Sequence, residues 1–213
     1  ADSTAAADSA ANAKAANTII TTPDNVEGVT HKVANYTKWL AAYEAHDSVR
    51  LAYGIHNYVI GRGVEDSNMI LVVTKIDDTA KAKGFAKDPS LKTAMKKGGV
   101  MGTPTISVFK ETWQDTAKTE SNIRSINSFM VKDWDAWLKG FEAGKQERID
   151  NGIIDRVVGH DLDNSKMVGV VTYISDSAKA SAYYKSDALK KRMEASGVVG
   201  KPHRTLYRMV KAY

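Results

Sequence analysis

A chain of 213 residues, 43% hydrophobic and 26% charged, carries enough apolar material for a packed core and is not a disordered polymer. Its net charge of +5 comes from Lys interspersed with Asp and Glu, with no basic stripe interleaved with aromatics, so nucleic acid is not an expected partner. With no Cys there are no disulfides, thiolate metal sites or Cys nucleophiles, and no apolar run reaches the roughly 20 residues that span a bilayer.

Residues 1–24 are set apart as a tail. The first 17 are Ala, Ser, Asp, Asn, Thr and Lys, with no large hydrophobe to bury. Such a leader is expected of an exported bacterial protein, periplasmic or extracellular after removal of an N-terminal signal.

The first folded unit, 25–113, opens with a short strand over 29–33. Asn35 then stands where a helix N-cap belongs, and Tyr36, Trp39, Leu40 and Tyr43 follow at the i, i+3, i+4, i+7 spacing of one apolar helical stripe. Gly54 is placed to end that helix as a C′ glycine. Strands are predicted over 55–60 and 69–76, joined by GRGVEDSN, whose Gly, Asp, Asn and Ser make a hairpin connection. Asp78 caps a second helix carrying Phe85, and a broken segment holds Leu91 and Met95. The turn Gly99-Val100-x-Gly102-x-Pro104 leads into a last strand over 105–109. A polar linker, 114–121, follows.

From 122 to 213 the same unit is read again without a gap, 98 residues on. Trp39-Leu40 falls on Trp137-Leu138, Arg50 on Arg148, Gly54-Ile55 on Gly152-Ile153, and Gly99-Val100-x-Gly102-x-Pro104 on Gly197-Val198-x-Gly200-x-Pro202. Each unit has the order βαββαβ of the ferredoxin-like fold, an α+β class. The run Met69-Ile-Leu-Val-Val is apolar almost throughout, as in a strand covered on both faces. Helices cover one face of such a sheet; the sister repeat is the nearest cover for the other. The expected architecture is therefore two tandem repeats packed as an eight-stranded barrel within one chain.

These residues resemble the dimeric α/β-barrel superfamily, which includes the antibiotic-biosynthesis monooxygenases. The likeness rests on Asn35-Tyr36, Trp39, Tyr43, Arg50, Gly54 and Gly99-Val100-x-Gly102-x-Pro104. It rests equally on Asp133-Trp134, Trp137, Phe141, Arg148, Gly152 and Gly197-Val198-x-Gly200-x-Pro202. Members usually assemble the barrel from two chains, which the tandem chain replaces; a homo-oligomer of the tandem chain stays compatible with it. The resemblance implies a choice among cofactor-independent oxygenation, isomerisation, haem breakdown and chlorite dismutation. The haem-degrading branch carries a His on its second helix with Asn and Trp nearby. Segments 78–97 and 176–195 contain neither His nor Trp, so no haem or other cofactor is expected.

The candidate site residues follow from uneven His placement. His46 extends the stripe of Trp39 and Tyr43 but aligns with Gly144, so one repeat alone carries it. It reads either as a general base held against Trp39 or as a His satisfied by a backbone carbonyl at a helix end. His56, Tyr58 and Ile60 are expected on one strand face by alternation, matched by Ile154, Arg156 and Val158. If that face lines the barrel, His56, Tyr58 and Arg156 form a pocket with Tyr173, His203 or Tyr207; if it faces out, they are surface groups. His31 completes three His in the first repeat, but His46 is placed across the sheet from it, and no metal site is expected. Arg50 and Arg148 read as last-turn cations facing the helix dipole. The expected function is binding of a small apolar or aromatic molecule, or a structural role; the alternative is a cofactor-independent oxygenase- or isomerase-like enzyme with His46 or His56 as acid/base.

Overall fold

The computed structural model describes residues 18–213; the expectation of an exported leader falls on residues outside them. Nine strands and eight helices appear among the described residues, and the two repeats match element by element.

The first repeat runs β2 (Asp24–Val33), α1 (Tyr36–Ala45), α2 (Asp47–Ala52), β3 (Ile55–Gly63), β4 (Met69–Ile76), α3 (Thr79–Phe85), α4 (Pro89–Gly98) and β5 (Val100–Asp115). It is preceded by a two-residue strand, β1 (Ile19–Ile20), on the end of β5. The second runs β6 (Ile123–Val131), α5 (Trp134–Ala143), α6 (Lys145–Asp150), β7 (Ile153–Asp161), β8 (Met167–Ile174), α7 (Ser177–Tyr184), α8 (Asp187–Ala195) and β9 (Val198–Ala212).

The caps are the expected ones. Asn35, Asp78, Asp133 and Asp176 each accept a backbone N–H three residues on, satisfying an amide that the helix cannot. Gly54 and Gly152 sit at φ 68 and 71, the left-handed conformation that ends a helix without a Cβ clash. The first helix of each repeat is broken in two where one was expected. His46 and Gly144 leave the helical region at the break, which turns Arg50 and Arg148 back toward the sheet.

Within each repeat the strands stand in the order last, first, third, second: β5-β2-β4-β3 and β9-β6-β8-β7. The edges then join across repeats, β3 to β9 and β7 to β5, so eight strands form a closed ring. Closing it requires long last strands. β5 starts at Val100 and runs to Asp115, into the segment read as linker, because its far end pairs with β7 and β1.

Helices pack on the outer face of the ring. Val33, Trp39, Ile60, Ile70 and Val72 form one core and Val131, Trp137, Val158, Val168 and Val170 its copy. The other face turns into the barrel, where Phe109 packs on Gly169 of the other repeat so closely that a Cβ there would stand 2.9 Å from the ring.

Candidate functional site

A cavity of about 290 Å³ lies between the helices and the sheet of the first repeat, outside the barrel. Glu27, Val29 and His31 of β2 and Val72 and Thr74 of β4 form its floor. Trp39, Tyr43, His46, Arg50, Phe85 and Leu91 close over them, and Pro104 and Ile106 of β5 stand at its edge. Ile106 is 51% exposed, so the edge meets solvent.

His31 is buried, its ring 5.4 Å from that of Trp39, and neither ring nitrogen has a hydrogen-bond partner. Burial lowers its pKa to about 4, because the charged form would lose its water without gaining a partner. The ring is therefore neutral, offering one donor and one acceptor. The Thr74 hydroxyl is also buried without a partner. Burial raises the pKa of Glu27 and pushes the Tyr43 phenol well above its ordinary range. The His46 pKa is lowered, first by burial and then by Arg50, with Asp88 opposing.

One wall is a polar network. Tyr43 stacks on Trp39 at 5.1 Å, and its hydroxyl donates to Asn57 Oδ1 at 2.6 Å. Arg50 lies 3.7 Å over the Tyr43 ring and donates through Nε to the same Asn57 oxygen at 3.2 Å. Asn57 Nδ2 donates to Asp47 Oδ1 at 2.6 Å, and that carboxylate also faces Arg50 Nη2 at 3.4 Å. Arg50 thus does more than face a helix dipole: it is buried and ties α2 to β3.

The second repeat shows the same site filled. Its cavity measures about 100 Å³. Tyr184, Arg192 and Arg204 stand at the positions of Ala86, Ala94 and Ile106. Arg204 stacks 3.2 Å over the Tyr184 ring and donates to Asn127 Oδ1 at 2.8 Å, while Arg192 pairs with Glu147. Phe129 replaces His31, Gly144 replaces His46 and Ser125 replaces Glu27. Below them Arg148 donates through Nε and Nη2 to Asp155 at 2.9 and 2.7 Å, where the first repeat has Asn57. Three smaller side chains open one site, and three larger ones plug its copy.

Of the residues expected at a site, Trp39 and His46 line the open cavity. Tyr58, Arg156, Tyr173 and Tyr207 do not reach it. Tyr58 accepts from Gln114 Nε2 at 2.6 Å, Arg156 donates to Asp115 at 3.3 Å and to the Ala117 carbonyl at 2.6 Å, and Arg124 lies over Tyr173, the strand partner of its own position. Tyr207 is buried opposite Arg124 on β9. His56 sits 2.8 Å from Asp77 with its side chain 47% exposed, and His203 is exposed beside Thr205.

The expected common face of His56, Tyr58 and Ile60 does not exist. A register shift between Asn57 and Val59 reverses the alternation, sending Ile60 to the helix-facing core while Tyr58 stays on the other side. The shift between Asp155 and Val157 does the same to Arg156 and Val158. His31 and His46, placed on opposite sides of the sheet by sequence reasoning, line one cavity, because α1 lies on the face to which His31 points. Among the described residues no group of three His, Asp or Glu lies close enough to hold a metal ion. No described helix is long and apolar enough to cross a membrane.

A buried carboxyl lies elsewhere. Glu111 borders a cavity of about 210 Å³ shared with Asp24, Lys75 and Gln114, and burial raises its pKa to about 7 against the pull of Lys75. His31 and Glu111 act oppositely on stability. Between about pH 6.5 and 4 the unfolded chain binds a proton at His31 that the folded one does not, so stability falls as pH falls. Between about pH 4.5 and 7 the folded chain holds the Glu111 proton, so stability falls as pH rises. From about pH 4.5 to 6.5 the two contributions oppose one another. His31→Phe, the residue of the sister repeat, is expected to gain on the wild type by up to about 1.4 kcal/mol per pH unit on acidification from about pH 6.5 to 4.5. Urea unfolding across that range checks it; a difference that does not grow with acid shows His31 to be ordinarily titrating.

No family model matches the chain, and no curated protein matches it. Solved structures do. An anthrone oxidase-like protein superposes with a TM-score of 0.63 at 14% identity, over 92% of this chain and 95% of that one. With the ring of eight strands, that superposition decides the fold. The chain has an α/β-barrel fold built from two ferredoxin-like repeats. A Fusobacterium nucleatum protein provisionally described as a monooxygenase shares the barrel with a TM-score of 0.57 at 12% identity, over 90% and 94% of the two chains. One from Lactobacillus acidophilus, described likewise, does so with 0.51 at 11% identity, over 87% and 94%.

Proposed function

We propose that the first repeat of this barrel binds a small apolar or aromatic molecule carrying a hydrogen-bonding group, and that the second repeat is a plugged, structural copy. One observation carries the reading. His31, a buried neutral imidazole with both nitrogens unpartnered, stands in the open cavity where the plugged copy has Phe129. No protein group meets either nitrogen, and a buried polar atom left unmet costs about 1–3 kcal/mol, so a ligand hydroxyl or carbonyl that pairs with one is favoured. The walls of Trp39, Tyr43, Phe85 and Leu91 favour a flat apolar body.

A second reading, an enzyme acting on that molecule without a cofactor, is favoured by the presence of His46 in the same cavity. Proteins of similar fold described as an anthrone oxidase-like protein and as monooxygenases point toward the same class, although at these identities they share the fold alone.

The test is calorimetric titration with aromatic hydroxyl compounds, beginning with 2-naphthol. One-to-one binding that perturbs Trp fluorescence is expected, weakened about tenfold or more by His31→Phe, since a site built around a hydrogen bond discriminates strongly once the partner is lost. Absence of saturable binding across the panel would sink the reading.

A further inference from the structure

In the open repeat His46 acts together with two further residues that its copy lacks. His46, Asp88 and Ser90 stand where the second repeat has Gly144, Ser186 and Ala188. Asp88 caps α4 and accepts three hydrogen bonds: from Ser90 N at 2.8 Å, from Ser90 Oγ at 2.5 Å and from the Tyr53 hydroxyl at 3.0 Å. These bonds hold its pKa low, so it is a carboxylate and an acceptor only. A hydroxyl has one proton, and that of Ser90 is spent on Asp88. Toward His46 Nε2, 2.7 Å away, Ser90 Oγ can then only accept, so Nε2 carries the ring proton. The remaining lone pair is on Nδ1, and among the described residues no group bonds to it. Helix capping alone does not call for this arrangement: Ser186 caps α8 of the second repeat by accepting from Leu189 N, with no His beside it.

We propose that Asp88 and Ser90 are positioning residues that hold His46 in its Nε2–H tautomer and so present Nδ1 as a proton acceptor to a weakly acidic O–H or C–H of the molecule in the first-repeat cavity. The proton passes from the ligand to Nδ1, leaving the ligand as its conjugate base and His46 as an imidazolium; no electron moves and no co-reactant is needed. The new positive charge is matched by Asp88 through the Ser90 hydroxyl and opposed by Arg50, the two charged groups acting on His46. The transfer step rests on the ligand-binding reading above; the tautomer is a property of the free protein.

Nitrogen-15 NMR of the full chain with labelled His tests both, with His46→Gln assigning the signal among the five His. Above the His46 titration, a protonated, pyrrole-like Nε2 and an unprotonated, pyridine-like Nδ1 are expected. Ser90→Ala should collapse them toward averaged positions while the Asp88 backbone cap persists, and Ser90→Thr, which keeps the hydroxyl, should restore them. Added 2-naphthol should move the Nδ1 signal toward its hydrogen-bonded position. An unprotonated Nε2 in the wild type, or a tautomer indifferent to Ser90→Ala, overturns the relay. Bound 2-naphthol that leaves Nδ1 unmoved overturns its presentation to the ligand. Failure of 2-naphthol and its analogues to bind strikes the ligand-binding reading and leaves the tautomer result standing.

Discussion

Ala86→Tyr combined with Ile106→Arg is expected to weaken 2-naphthol binding by at least about 100-fold, about 2.7 kcal/mol, with little change in fold. These side chains already share a conformation in this molecule, because Tyr184 and Arg204 stack at 3.2 Å at the matching positions of the second repeat. The exposure of Ile106 leaves room for the longer side chain to enter from the edge. The reciprocal variant, Tyr184→Ala with Arg204→Ile, should open the second cavity and raise the calorimetric stoichiometry from one toward two. The new site should bind more weakly, since Phe129 offers no hydrogen bond where His31 does. Retention of binding by the plugged variant would place the ligand elsewhere.

Asp155→Asn is expected to destabilise the protein by about 3 kcal/mol or more. The Arg148–Asp155 pair is bidentate, with side chains 10% and 6% exposed, so removing the carboxylate's charge leaves a buried guanidinium without its counter-ion. The first repeat manages with Asn57 at that position because Asp47 supplies the charge from α2; the second has Lys145 there, a second cation. Lys145→Asp in the Asp155→Asn background should therefore recover at least half of the loss, although on its own it costs stability by removing the Lys145 ammonium from the Trp113 ring. Urea midpoints at constant m-value measure the cycle. A loss below about 1 kcal/mol for Asp155→Asn would show that solvent already screens the pair.

How far the residues disclosed this arrangement depends on what each kind of signal encodes. The repeat was legible because paired anchors such as Trp39 with Trp137 and Gly54 with Gly152 stayed identical, and apolar stripes with capping Asn or Asp locate helices by local physics. Ring closure was foreseeable from the two-sided burial of Met69 to Val73, which demanded a cover. The strand faces beyond Tyr58 were not, since one extra residue in a strand leaves no mark in composition yet inverts every later side chain. The cavity was hidden for a different reason. It is made by absence, at Ala86, Ala94 and Ile106, and a small side chain means room only when something larger is seen in its place. Tyr184, Arg192 and Arg204 stood 98 residues away the whole time, and comparing the copies position by position for size, rather than identity, would have exposed the site. Asn57 opposite Asp155 was a further signal of the same kind.

Joining both halves of the barrel in one polypeptide frees them from having to be alike. When two identical subunits close such a ring, any mutation enters twice, related by the dyad, so a residue near the axis meets its own twin. Here Tyr58 occupies the place that Arg156 takes across the interior, each with its own neighbours, Gln114 for one and Asp115 for the other. A covalent tether thus lets one lobe sacrifice its hollow to rigidity while the other keeps one, a division of labour denied to a homodimer.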